Sequence, residues 1–340
     1  MAKKDYKIID DVLIIDEGRK EIKTHEFFNK KFVKVIIPEG VEKIGYWAFG
    51  ACERLEEVIF PSTLISIEMQ AFALCNLKKL TFTDGCPKLK EVCHSSFGSD
   101  CLWFNQQLEQ NEFTILGKVL FLHGIGSNHV LVPNNVEIIA SDSFNSQLIE
   151  SVILPEGVKV IENAAFARCE KLQSIILPRS LETIGNGSFH SCKMLKEIVI
   201  PNKVKKIGDN AFRSCSNLEK IILPSKLKSI GENAFAINID ENLLDFNVLE
   251  GIVPALLNGC KINNNTLLWQ LDNRWDNEQF IKEVVLIYLT QSGKKVLDKA
   301  TLILMRNYDI AISAMKEYQN CYELKPKIIE KINSFIEEYA

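Results

Sequence analysis

The chain has 340 residues, of which 46% are apolar and 25% charged, and its net charge is −4. That balance allows one large or two modest packed domains and excludes a chain too polar to fold. The small charge gives no footing for a nucleic-acid or polyanion binder, and no run approaches the roughly 18 apolar residues of a membrane span.

Residues 1–21 open the chain. Met1 to Asp11 is rich in Lys and Asp and holds no apolar leader core, so a secretory signal is not expected. YKIIDDVLIIDEG then places two apolar runs on either side of Asp10-Asp11. It reads as a hairpin that caps the open edge of a repeat array.

From residue 22 a pattern recurs. The first block, 22–97, contains PEGVEKIGYWAFGACERLEEVIF from Pro38 and a second copy from Pro61. Residues 98–132 break the array. There, two β-rich runs around Gly117-Lys118 read as another hairpin, with Phe113, Ile115, Val119 and Leu120 matching Tyr6, Ile8, Val12 and Leu13. The HGIGSN stretch (123–128) has no G-K-S/T and no helix signal after it, so it reads as a turn and not a phosphate loop.

The second block, 133–237, starts with a shorter copy at Pro133. It then repeats every 23 residues from Pro155, Pro178, Pro201 and Pro224. Each copy reads P-x-x-V/L-x-x-I-x-x-x-A/S-F-x-x-C-x-x-L-x-x-I-x-L. Phe49, Phe72, Phe144, Phe166, Phe189, Phe212 and Phe235 share one position, and Phe27 and Phe97 fit with small length changes. L-x-x-I-x-L is a strand with alternate residues inward. Proline ends it by lacking the ladder N–H. V-x-x-I-G forms a second extended piece on the opposite wall, and the Phe plugs the coil centre.

From Asn238 helical spacing takes over. Helices are expected over 241–257, 266–274, 278–290, 294–306, 309–320 and 327–338, punctuated by Gly293 and Pro326. Val284, Val285, Tyr288 and Leu289 are expected to pack on Val296, Leu297, Ala300, Leu302, Ile303 and Leu304. Residues 238–340 thus read as an all-α cap or domain.

The repeat over about 22–236 resembles the BspA-type leucine-rich repeat, with its I-G-x-x-A-F-x-x-C-x-x-L signature. The resemblance implies an α+β repeat solenoid, a right-handed leucine-rich-repeat coil with a parallel strand sheet, used for protein or surface recognition. BspA-like proteins are often secreted or surface-attached bacterial proteins. The repeat-spaced cysteines and the leaderless N-terminus point instead to the cytoplasm, with a bacterial surface or secreted adhesin as the alternative.

The candidate contact surface is the strand face, expected on the concave side. Its fifth position holds Ile36, Ile59, Thr81, Ile153, Ile176, Val199 and Ile222, a β-branched stripe. Its third position holds Lys34, Glu57, Lys79, Ser151, Ser174, Glu197 and Lys220. A contiguous apolar stripe with charged flanks suits a protein partner; the plainer reading is stacking between strands.

Other candidates are weaker. Cys52, Cys75, Cys169, Cys192 and Cys215 read as small core residues repeated by duplication. Cys86, Cys93, His94 and Cys101 lack the C-x2–4-C spacing of structural zinc. The lysines between Lys193 and Lys228 have no interleaved aromatic residues, which argues against nucleic acid. None of the five histidines sits in a nucleophile or carboxylate motif, so no enzyme, cofactor or metal is expected.

Overall fold

The computed structural model describes residues 5–92, 94–98, 101–124, 126–224, 226–238, 241–244, 261–262, 278–291, 294–321 and 324–339. It forms two compact units, one of residues 1–145 with 157–165, the other of residues 146–156 with 166–340. Both contain the same coil, and the second also carries the C-terminal helices.

In the first unit Tyr6–Ile9 and Val12–Ile15 form an antiparallel hairpin. Its second strand pairs in parallel with Lys34–Ile36, which pairs with Glu57–Phe60, which pairs with Lys79–Phe82. The other wall stacks Glu21–Ile22, Lys43–Ile44 and Ser66–Ile67 in parallel. Alternation puts Val35, Val58 and Leu80 inside.

The array then leaves the repeat pattern. Helix α1 (Leu102–Gln110) occupies part of the stretch read from sequence as hairpin alone. It is anchored by Trp103, whose ring lies 6.0 Å from Phe82 and 6.4 Å from Phe97. Leu102, Trp103, Phe104 and Leu108 share a nine-residue element, too short for helical period to be told from strand alternation. The expected hairpin comes next, Phe113–Leu116 against Val119–His123. Its turn requires Gly117, at φ +59, where a Cβ would stand 2.6 Å from the Cys86 carbonyl oxygen. Val119–His123 then pairs in parallel with Ile138–Ile139, and that strand with Val160–Ile161.

In the second unit Ser151–Ile153 pairs with Ser174–Ile176, and Glu197–Val199 with Lys220–Ile222, all parallel. The opposite wall runs Thr183–Ile184, Lys206–Ile207, Ser229–Ile230 and Lys261–Ile262. One expected helix is corrected here. Glu241–Leu244, expected to begin it, is a strand antiparallel to Ala236–Asn238. Lys261–Ile262 also adds a rung beyond the last copy of the motif. The rest of 245–257 and all of 266–274 lie outside the described residues.

Among the described residues the C-terminal part holds four helices: α2 (Glu278–Thr290), α3 (Lys294–Arg306), α4 (Tyr308–Cys321) and α5 (Pro326–Tyr339). Helix α2 touches the other three and is accordingly buried on most sides, through Ile281, Val284, Val285, Leu286 and Leu289. Ala300, Ile303 and Leu304 of α3, Met315 of α4 and Phe335 of α5 are buried with it as the bundle core. Tyr318 donates its hydroxyl to the Lys282 carbonyl at 3.1 Å, and Lys331 donates to the Tyr288 carbonyl at 2.9 Å. Leu302, expected in this core, is half exposed.

The coil interior is organised by rings. Phe27, Phe49, Phe72 and Phe97 succeed one another at centroid distances of 5.3, 4.9 and 5.5 Å. Phe166, Phe189, Phe212 and Phe235 do the same at 5.2, 5.0 and 5.3 Å, within 4° of parallel. These distances fit the spacing of adjacent strands, about 4.8 Å, so each ring lies on the next with the offset that ring quadrupoles favour. The glycine after the ladder isoleucine obeys the same closeness, since a Cβ on Gly208 would come 2.5 Å from the Gly185 carbonyl carbon.

The A/S-F corners turn through left-handed residues, as at Gln70 and Leu74 (φ +58, +56) and at Asn210 and Ser214 (φ +55, +60). Between them the Phe amide donates to the next coil, as from Phe49 to Ala71 and from Phe212 to Ala234, at 2.8 and 2.7 Å. His123 makes the equivalent bond to Ser143, the residue before Phe144, at 3.1 Å. Its imidazole stacks on the Phe144 ring at 4.8 Å. His123 is therefore a rung of the ring stack in place of phenylalanine, a role hidden by its position in the HGIGSN segment.

Removing one ring tests the stack. Phe189→Ala should destabilise the second unit by about 3–5 kcal/mol in urea denaturation, the usual cost of emptying an aromatic core site. His123 offers a second test. It is 3% exposed, and neither ring nitrogen has a hydrogen-bond partner among the described residues. Burial lowers its pKa from the ordinary 6.5, so the unfolded chain takes up a proton before the folded one does. The stability tied to His123 is thus complete above about pH 6.5 and falls as the pH drops below it. His123→Phe should raise stability at pH 7 by about 1 kcal/mol. It should also flatten the loss of melting temperature between pH 7 and pH 5.

Candidate interaction surface

The strand face divides between the units. In the first, Ile36, Ile59 and Thr81 occupy matched register positions on three neighbouring strands. Ile36 and Thr81 are exposed and Ile59 is half-buried. Beside them runs a charged row in which Glu57 bridges Lys34 at 3.2 Å and Lys79 at 3.1 Å. Hydrogen bonding from Lys79, then Lys34, holds the Glu57 carboxyl below its usual range. Such an exposed pair contributes little stability, but it fixes the charge pattern flanking the stripe.

In the second unit Ile153, Ile176, Val199 and Ile222 come from four consecutive coils, with Ile153 paired to Ile176 and Val199 to Ile222. They are 44%, 58%, 54% and 45% exposed. Their polar row is Ser151 and Ser174, then Glu197 with Lys220 Nζ at 3.5 Å. Alternation explains the separation: Val152, Ile175, Ile198 and Ile221 point into the core, and both neighbours of each point out.

The cysteines do more than fill space. The Cys52 and Cys75 thiols donate to the carbonyls of Phe27 and Phe49, both at 3.1 Å. Cys192 and Cys215 donate to those of Phe166 and Phe189, both at 3.2 Å. A corner carbonyl is satisfied each time. Burial pushes the Cys169 thiol up to about 12, which keeps it in the unreactive protonated form. Among the described residues no group of three His, Cys, Asp or Glu side chains is placed to hold a metal; Cys93 lies outside them. Lys203, Lys205 and Lys226 line an open groove of about 690 Å³, together with Glu182.

One cluster escaped the sequence reading. The corner of the first two coils gathers His25, Phe28, Tyr46 and Trp47, with ring centroids 5.7–6.5 Å apart. The dipeptide YW in IGYWAF, against pairs that hold no Phe, Tyr or Trp in the other copies, was the signal available.

Coils of this length, with a parallel strand per turn and a phenylalanine plug, define a leucine-rich-repeat protein. The sequence matches the BspA type leucine rich repeat region, in six copies over residues 20–147 and 114–240, and the chain belongs to that family. Solved structures similar to it include a leucine rich cell surface protein from Faecalibacterium prausnitzii. That protein is 21% identical over 68% of this chain and 83% of its own, with a TM-score of 0.37. The pneumococcal vaccine antigen PcpA is 23% identical over 62% of this chain and 65% of its own, at a TM-score of 0.36. A leucine-rich repeat protein from Bacteroides capillosus is 31% identical over 30% of this chain and 83% of its own, at 0.28. No curated protein matches the chain. None of the described helices is long and apolar enough to cross a membrane. The cytoplasmic expectation finds no support in these comparisons.

Proposed function

We propose that the chain is a non-enzymatic recognition module that binds a protein partner on its strand face. The observation that supports this most is the row Ile153, Ile176, Val199 and Ile222, four β-branched residues left about half exposed in consecutive coils. Covering the open half of each would contribute on the order of 1 kcal/mol. A compact apolar centre with a polar rim is the usual make-up of an interface hot spot. Here the rim is Ser151, Ser174, Glu197 and Lys220. In the first unit Lys34, Glu57 and Lys79 flank Ile36, Ile59 and Thr81 in the same way.

The triple variant Ile153→Ser, Ile176→Ser, Val199→Ser should leave the circular dichroism spectrum unchanged, because all three side chains point away from the core. It should weaken capture of the native partner from cell lysate at least tenfold. Undiminished capture would remove the strand face as the binding surface.

Membership of the BspA-type family favours a second reading, an adhesin displayed on or released from a bacterial surface. Protease shaving of intact native cells separates the two. An adhesin loses its solenoid peptides to the protease, and an intracellular module keeps them until lysis.

A further inference from the structure

The corner of the first two coils is built differently from the others. Between the I-G glycine and the A/S-F pair, later copies carry Asn186-Gly187, Asp209-Asn210 and Glu232-Asn233. The second coil carries Tyr46-Trp47. Trp47 has φ +52, the left-handed conformation held by Gln70, Gly187, Asn210 and Asn233 at the same step. Glycine and asparagine sit there readily, whereas a bulky side chain is strained. The fold therefore holds an indole at a left-handed step where later coils carry Gln70, Asp142, Ala164, glycine or asparagine.

The indole also has a prepared seat. Directly after the core phenylalanine most other copies carry a side chain, as at Ala167, His190 and Arg213, with Gly98 after Phe97 the exception. The second coil has Gly50, and a Cβ there would lie 2.1 Å from Cε3 of Trp47. Trp47 Nε1 donates to Gln70 Oε1 of the next coil at 2.7 Å. His25 of the previous coil stacks on the ring at 6.5 Å and 18°, and Phe28 lies 5.7 Å away. Phe28 and Tyr46 are 41% and 40% exposed. Phe27 and Phe49 already fill the coil interior, so these four outer rings are not needed as core.

We propose that this aromatic corner binds a neutral oligosaccharide, whose pyranose rings lay their C–H faces on Trp47 and the rings beside it. A sugar is apolar on its ring faces and polar at its edges. The corner offers flat ring faces, with the Tyr46 hydroxyl and the His25 ring nitrogens unengaged in hydrogen bonds among the described residues. The two carboxylates held at this corner are charge-paired: Glu26 with Arg19 at 2.5 Å, Glu68 with Lys43 at 2.6 Å. That pairing favours an uncharged ligand. A peptide added as a strand would seek open backbone donors, but the Phe27 and Phe49 amides donate to Ala48 and Ala71 of the next coil. The site lies within the first unit and does not depend on the strand-face reading.

The test uses the full chain against immobilised maltohexaose, cellohexaose and chitohexaose, with a proline-rich decapeptide beside them. The wild type should bind at least one hexasaccharide. Trp47→Asn should weaken that binding at least tenfold while keeping or raising the melting temperature, because asparagine suits the left-handed backbone. Tyr46→Ala should weaken it severalfold. The proposal is overturned if the wild type binds none of the three sugars, or if Trp47→Asn binds as well as wild type. It is equally overturned if only the decapeptide is retained, which would assign the rings to a peptide.

Discussion

The coils of both units depend on one spacing. A phenylalanine ring can lie on the ring of the next coil only if successive coils are about one strand apart. The observed steps, 4.9–5.5 Å in the first unit and 5.0–5.3 Å in the second, satisfy that. From this come the glycines where backbones nearly touch and the thiols that reach the carbonyl of the preceding coil's phenylalanine. A coil cannot bury its apolar wall by itself, so each rung is stable through its neighbours.

The same spacing determines what is free to vary. Inward positions are fixed by contact with the rungs on either side. Outward positions on the strands face only solvent, yet in the second unit they repeat Ile153, Ile176, Val199 and Ile222. At the corners the left-handed step is also open to variation. Gly187, Asn210 and Asn233 suit it without strain, and Trp47 does not. A surface residue that departs from the easiest local choice carries information that a conforming core residue does not.

Much of the fold was legible because the repeat is chemically strict. The Phe and Ile ladders, the strand after each L-x-x-I-x-L, both hairpins and four of the C-terminal helices rest on periodicity that survives in one sequence. The failures share a cause. Helix α1 depends on Trp103 reaching Phe82 and Phe97, a contact invisible to local pattern. His123 replaces phenylalanine with a different residue type after a hairpin has shifted the count. Glu241–Leu244 has apolar residues compatible with either period, and pairing with Ala236–Asn238 decides for the strand.

The sequence by itself determined the coil, because a residue sealed between two copies of itself has few substitutes and so betrays the repeat. It also marked the strand-face row, since alternation assigns inward and outward without further information. Only the tertiary structure decided how much of that row stays in water. Only it brought Trp47 to Gln70 on the next coil and to His25 on the previous one, over a glycine at position 50 whose missing side chain makes the space. Those relations join residues on different coils through side-chain packing, and a single sequence carries no record of which exposed side chains meet.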